Sequence, residues 1–309
     1  MTAKNYSDQK KLSEIIASIT RSNSHLQSLI FGGSKGIGKS TAARDITNHL
    51  LSDRNDLLHN LLWIDSDDEI ITIDQVRQIK EFFSQTIFND SYRIVVIDNA
   101  DNLNINSANA LLKILEEPPQ KSLLILISHQ PYNLIDTIKS RCALINFRAP
   151  ENAHDITKQN TKIEAKESEL LLRLAHNIPG IAIYLSQNQG LELYENMIFA
   201  ISNCDSSYDN TYKFIESYFS DNSVEKWLIF SYLLKYLLEK IIKTSSMAHN
   251  NDLFDEEKKV IDKLVAKRST QDWFVIYDQV LQLTTTAKKL YLDYKNVAIV
   301  LIQLINKEA

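Results

Sequence analysis

The stretch Gly33-Ser34-Lys35-Gly36-Ile37-Gly38-Lys39-Ser40-Thr41 sets three glycines ahead of a lysine and two hydroxyl residues. The spacing G-x-x-x-x-G-K-[ST] suits phosphate chemistry. Glycines let backbone amides wrap an anion, and the helix that follows aims its positive end at the same charge. Lys39 is of the type that neutralises β- and γ-phosphates, and Ser40 of the type that holds Mg²⁺ through its hydroxyl. A chance glycine-rich turn is the bland alternative. The setting argues against it, because the motif lies between a β-rich run and an alanine-containing helical stretch, where phosphate binding requires it.

A second chemical feature is the run YRIVVIDNADNLNINSANALLKILEEPPQ, Tyr92 to Gln120. Its apolar part ends on Asp98, and a parallel sheet carries ligands beyond the carboxyl ends of its strands. Asp98 is therefore expected to face the phosphates and hold Mg²⁺ through water; otherwise it is an acid that merely ends a strand. Asn99 follows, at a place where a hydrolytic machine carries a glutamate. An amide does not accept a proton as a carboxylate does, and loss of a general base typically slows a reaction by about 10²- to 10⁴-fold. Asp101 is the nearby substitute, two residues farther on and shorter. Binding without efficient turnover is the expectation.

These residues need a scaffold, and the first half of the chain alternates β-branched runs with helical stretches, the pattern of a mainly parallel α/β sheet. Strands are expected at 28–33, 61–65, 92–98, 123–128 and 143–147, with helices near 40–52, 73–86 and 106–117. After Pro150 the strand signal fades and nearly everything reads as helix. The fold class is thus α/β plus all-α: a phosphate-loop domain over 1–150, a small helical segment over 151–188 and a larger helical block over 189–309. The terminal NVAIVLIQLINK has almost no polar face and is expected to pack against neighbours or a partner chain. Thr244 to Asp252 reads as a loop.

Composition narrows the class further. At 309 residues, with 44% apolar and 24% charged residues, the chain is an ordinary globular protein. A net charge of −5 argues against gripping nucleic acid by bulk electrostatics. The two cysteines, Cys142 and Cys204, support neither a disulfide framework nor a four-thiolate zinc site. No apolar signal-peptide core and no run of 18 apolar residues occurs, so a cytoplasmic protein without membrane contact is expected. The most apolar helical stretch, Val224 to Lys243, is interrupted by Lys235, Glu239 and Lys240 and reads as a buried helix.

The segment IDNADNLNINSANALLKILEEPP resembles that of bacterial clamp-loader subunits of the AAA+ class, as does the Ser140-Arg141-Cys142 triplet after NLIDTIK. The helix before the acid strand, TIDQVRQIKEFF, is similar too, so the resemblance runs from about residue 7 to 150. The form IDNAD, and the closing YLDYKNVAIVLIQLI, look more like the delta-prime branch of DNA polymerase III than the motor branch. The resemblance implies an AAA+ domain, a lid at 151–188 and a collar domain at 189–309. It implies ATP or ADP with Mg²⁺ as ligand, and a hetero-pentamer with motor (tau/gamma) and delta subunits that loads the sliding clamp on primer–template DNA. In that setting the chain is a stator, and Arg141 is a finger for the ATP of the adjacent motor subunit. A guanidinium presented in trans is worth about 10³- to 10⁵-fold in phosphoryl transfer; the alternative is a surface arginine at the entry to a strand. Ser128 falls at the family's sensor position near the γ-phosphate, or is a simple strand terminus.

Three departures qualify the resemblance. Many relatives carry a four-cysteine zinc module, whereas His49 to Asp65 contains no cysteine, and His49 with His59 alone cannot complete a tetrahedral site; no zinc is expected. Gly180 and Ile181 stand where the family's lid presents an arginine. The phosphate loop, lost in some delta-prime proteins, is kept here. Lys113 lies off the apolar stripe of its helix and faces solvent or DNA phosphate. Two other functions stay open: a working ATPase with Asp101 or a partner residue as base, and a helical adaptor with a vestigial phosphate loop.

Overall fold

The computed structural model describes residues 9–21, 26–51, 54–65, 69–85, 91–161, 163–203, 208–246 and 253–307. Cys204 and residues 247–252 of the expected loop lie outside them. The structure divides into two compact units. The first runs up to Ile156 and includes Ile178–Ile181; the second comprises Thr157–Asn177 and the chain from Ala182 onward.

In the first unit, strands β1 (Ser28–Gly32), β2 (Leu61–Asp65), β3 (Arg93–Asp98), β4 (Ser122–Ser128) and β5 (Ala143–Asn146) form one parallel sheet in the order β2-β3-β4-β1-β5. All five expected strands are present. Between them lie α1 (Gln9–Thr20), α2 (Lys39–Leu50), α3 (Arg54–Asn60), α4 (Ile73–Ser84), α5 (Ile105–Glu116) and the short α6 (Asp136–Lys139). Helices cover both faces of the sheet. Ile30, Val95, Ile97, Leu124 and Leu126 point to α4 and α5, where they meet Val76, Ile79, Leu111 and Leu115. Leu29, Phe31, Ile94, Val96, Ile125 and Ile127 point the other way, to Ile15 and Ile19 of α1 and Ala42, Ala43 and Ile46 of α2. The inner strands β1, β3 and β4, buried on both faces, read as continuous apolar runs rather than alternating ones, which is why they were visible in the sequence.

Local signals start the helices where the site needs them. Thr72 and Gln75 form a capping box at the head of α4. Asn104 caps α5 by accepting a hydrogen bond from the Ser107 amide at 2.9 Å. Beyond β5 every described element is helical: α7 (Ala153–Thr161), α8 (Ala165–Leu174), α9 (Pro179–Gln187), α10 (Gly190–Ser202), α11 (Tyr208–Tyr218), α12 (Val224–Ser245), α13 (Asp255–Lys267), α14 (Thr270–Lys289) and α15 (Tyr294–Asn306). Helix α12 continues to Ser245, two residues into the stretch read as a loop.

The core of the second unit forms around α12. Trp227 stacks on Tyr294 of α15 at 4.8 Å and donates its indole N–H to the Thr284 carbonyl of α14. Lys240, charged but buried, donates to Glu257 of α13 at 2.9 Å, and the same carboxylate accepts from the Tyr194 hydroxyl and the Leu253 amide. The interruption of the apolar helix by Lys240 is thus an internal ion pair. No helix among the described residues is long and apolar enough to cross a membrane.

Candidate nucleotide site and arginine turn

Strand register brings the chemistry together. Gly32 of β1 lies opposite Ser128 of β4, and Ile127 of β4 lies opposite Asp98 of β3. The carboxyl ends of three neighbouring strands therefore meet at one edge, with the phosphate loop leaving from β1. Gly33, Gly36 and Gly38 have φ of 138°, 84° and 97°, a region in which an L side chain is strained. The glycine spacing of the motif is thus a backbone requirement of the loop.

Lys39 is almost fully buried and curls into the loop, its ammonium donating to the carbonyls of Gly33 at 2.5 Å and Ser34 at 2.7 Å. Burial pushes its pKa down to about 8, against the opposing pull of Asp98 and Asp101 and with Lys35 adding to the lowering. The imidazole of His129, next after β4, is held below its ordinary pKa by burial and then by Lys39. The loop also makes a contact with the start of α9. The Gly180 amide donates to the Gly36 carbonyl at 3.0 Å, and a Cβ on Gly180 would lie 2.5 Å from that oxygen. Gly180 and Ile181 are therefore at the phosphate loop, with no room for a larger residue at 180.

Asp101 was read as a possible base, and its surroundings give it another task. Its Oδ1 accepts the Ser128 hydroxyl at 2.5 Å; its Oδ2 accepts the His129 amide at 2.5 Å and the Gln130 amide at 3.3 Å. Both oxygens thus tie down the end of β4. The hydroxyl hydrogen of Ser128, the group proposed to sense a phosphate, is engaged in the same clamp. Asn99 adopts a left-handed backbone, φ 71° and ψ 63°, and its buried Oδ1 has no hydrogen-bond partner among the described residues. The His129 Nδ1 is likewise buried without one. Neither His129 nor the clamp by Asp101 was foreseen, because the partners of Asp101 lie 27 to 29 residues away, at the end of the neighbouring strand.

The donor set fits a nucleoside phosphate. Three glycines in positive φ form a cradle, a desolvated ammonium lies within it, and two orphaned polar atoms, Asn99 Oδ1 and His129 Nδ1, lie beside strand ends that also carry Asp98. Ser34, Lys35, Ile37, Ser40 and Thr41 complete the loop and the first turn of α2.

Arg141 lies elsewhere. It precedes β5, at the amino-end edge of the sheet, whereas the phosphate loop follows β1 at the carboxyl-end edge. Cys142 beside it is buried among Ile138, Leu134 and the α5 leucines, and burial pushes its thiol up to about 12. Such a thiol is inert packing. With the cysteine anchored, the preceding residue is turned outward, and the Arg141 guanidinium donates to Glu116 of α5 at 2.8 Å. Lys113 is exposed on the same helix.

Residues 8–151 match the family model described as DNA polymerase III, delta subunit. The chain is similar to the DNA polymerase III subunit delta' of Pseudomonas aeruginosa, 50% identical over 72 residues, 23% of this chain and 22% of that one. It is also similar to that of Bacillus subtilis, 34% identical over 117 residues, 37% and 35% of the two chains. A replication factor C small subunit of Methanococcus vannielii is 32% identical over 142 residues, 45% and 44% of the two. The chain thus spans less than half the length of each of these relatives. Among solved structures, a DNA polymerase III gamma subunit-related protein of Thermotoga maritima superposes with a TM-score of 0.60 at 17% identity, covering 96% of this chain and 99% of that one. That likeness bears on the fold alone. The chain has an α/β fold with a helical C-terminal part, like that of the gamma subunit-related protein, and its residues 8–151 match the model of the DNA polymerase III delta-subunit family.

Proposed function

We propose that the protein is a delta-prime-type subunit of a DNA polymerase III clamp loader, a cytoplasmic stator that retains nucleotide with little or no hydrolysis and supplies Arg141 to a neighbouring ATPase subunit. The observation that carries this reading is the separation of its two chemical ends. The phosphate loop is at the carboxyl-end edge of the sheet and Arg141 at the amino-end edge, which supports a role for the arginine at a phosphate held by another chain rather than at the chain's own. Residues 151–188 would act as a lid and 189–309 as the collar that holds the subunit among motor (tau/gamma) and delta subunits. The sliding clamp and primer–template DNA would be engaged through that hetero-pentamer.

In its own site, the amides of Gly33 to Lys39 would hold the phosphates, and Lys39 would leave its two carbonyl partners to meet them. Ser40 and Asp98 would hold Mg²⁺, which supplies charge neutralisation between phosphate oxygens when bound. What supports weak turnover is the fate of the carboxylates after Asp98. Asn99 cannot accept a proton, and Asp101 is committed through both oxygens to β4. Ser128 would contribute to the site through the clamp it shares with Asp101. A working ATPase would need Asp101 released from three hydrogen bonds, and no observation favours that reading over the stator.

The test is ATP hydrolysis by the isolated protein beside its binding of labelled ADP. Saturable ADP binding with negligible turnover is the expected result; robust turnover abolished by Lys39→Ala would sink the stator reading. Absence of binding at millimolar nucleotide would leave the loop vestigial. In a reconstituted clamp loader whose other motor sites are silenced, Arg141→Ala should slow hydrolysis at the adjacent site by about 10³-fold or more without loss of assembly. An unchanged rate would remove the finger.

A further inference from the structure

We infer that Glu116 is a positioning residue for Arg141: with the Thr137 carbonyl and the Ser140 hydroxyl it holds the guanidinium in the orientation in which a neighbouring chain's phosphate meets it. The inference rests on the reading of Arg141 as a finger.

A trans-acting arginine must be presented to within a fraction of an ångström by groups of its own chain, and a free arginine side chain carries considerable rotamer entropy. Here three acceptors restrict it. One terminal nitrogen, Nη1, donates to the Thr137 carbonyl at 3.1 Å and to Ser140 Oγ at 3.3 Å; Nη2 donates to Glu116 Oε1 at 2.8 Å. A guanidinium has five N–H donors. Three are engaged, so the Nε–H and the second Nη2 hydrogen remain for a ligand.

The holding groups come from two elements tied into one core. Thr137 belongs to α6 and Ser140 ends it, while Glu116 is the last residue of α5. Both helices pack through Ile138, Leu111 and Leu115 under the sheet, with Cys142 among them. Glu116 itself is half exposed and Arg141 about one-third exposed. An exposed ion pair contributes little to stability, so a purely structural role would leave Glu116 dispensable. Both partners of the pair stay partly exposed, and the chain's own phosphate loop leaves from the opposite edge of the sheet.

The test uses the reconstituted complex in which only the motor site facing Arg141 can fire. Glu116→Ala should lower kcat at that site about two- to fivefold, with KM for ATP unchanged and assembly intact. Glu116→Gln, whose amide oxygen accepts the same hydrogen bond, should return kcat to within about twofold of the wild type, since an exposed charge itself contributes little. In the free chain, Glu116→Ala should also increase the NMR-detected mobility of the Arg141 Nε–H bond. A wild-type or raised kcat in Glu116→Ala, a change confined to KM, or a Glu116→Gln rate as low as that of Glu116→Ala overturns the inference. Arg141→Ala, run beside these, separates the two ideas: if it is slow while Glu116→Ala is not, the finger stands and the positioning role falls. If Arg141→Ala is fully active, the finger reading itself falls.

Discussion

Asn99 now has two reasons for its identity. Chemically it lacks the proton-accepting group of a glutamate; sterically it occupies a left-handed backbone, which asparagine tolerates better than most residues. Asn99→Glu should therefore lower stability by about 1 kcal/mol and leave ATP turnover negligible, while Asn99→Gly should be neutral or slightly stabilising. Urea denaturation reads both, and equal midpoints for the glutamate and glycine variants would discard the backbone account. Lys39 gives a pH prediction. Its pKa in the free protein is about 8, and a phosphate set against the ammonium raises it, so binding takes up a proton above that pH. Affinity for ADP should be level below about pH 7 and fall as pH rises through 8, by at most about tenfold per pH unit. Calorimetry in buffers of different ionisation enthalpy measures the proton directly; binding without proton uptake at pH 8.5 would contradict it.

Helix α5 links the two chemical ends of the first unit. It begins just after the left-handed turn at Asn99 and the clamp at Asp101, and it ends on Glu116 against Arg141. Its start depends on the Asn104 cap, so Asn104→Ala should cost about 1 kcal/mol. Because the lost cap loosens the first turn, the variant should also raise amide exchange at Ile105 to Ser107 before it affects residues 111–115; uniform exchange along the helix would argue against this account. Parts of this element were legible in advance. The expected bounds of 106–117 placed the helix to within a residue, and Lys113 falls on the exposed face as its position off the apolar stripe implied. Helices α1, α3 and α6 were not anticipated. Helices α3 and α6 have seven and four residues, too few for a helical period to show, and they owe their form to the chain on either side.

Across the whole molecule, the division into two units gives each its own core, one spread over the sheet and one built around α12. The buried Lys240–Glu257 pair belongs to the second. Removing the lysine alone leaves a carboxylate that is fully buried, so Lys240→Ala should destabilise that unit by about 3–5 kcal/mol. The loss should appear in calorimetry as a lowered transition, while ADP affinity at the phosphate loop stays at the wild-type value at 20 °C. A parallel loss of ADP affinity would show that the units do not fold independently.

Short-range pattern was enough for the five strands, the phosphate loop, the acid at the end of β3 and the helical character of everything past Pro150. Each is written in hydrophobic period or in residues a few places apart, and the inner parallel strands, covered on both faces, leave an unusually plain signature. The fate of the polar groups needed the folded chain. Ser128 and His129 reach Asp101 across 27 and 28 residues of sequence, and Glu116 reaches Arg141 across 25. Nothing local marks those pairs, because strand register and helix packing create them. The motif could announce a candidate phosphate loop and an arginine, but which carboxylate is committed to structure and which side chain pairs with the arginine are consequences of three-dimensional proximity.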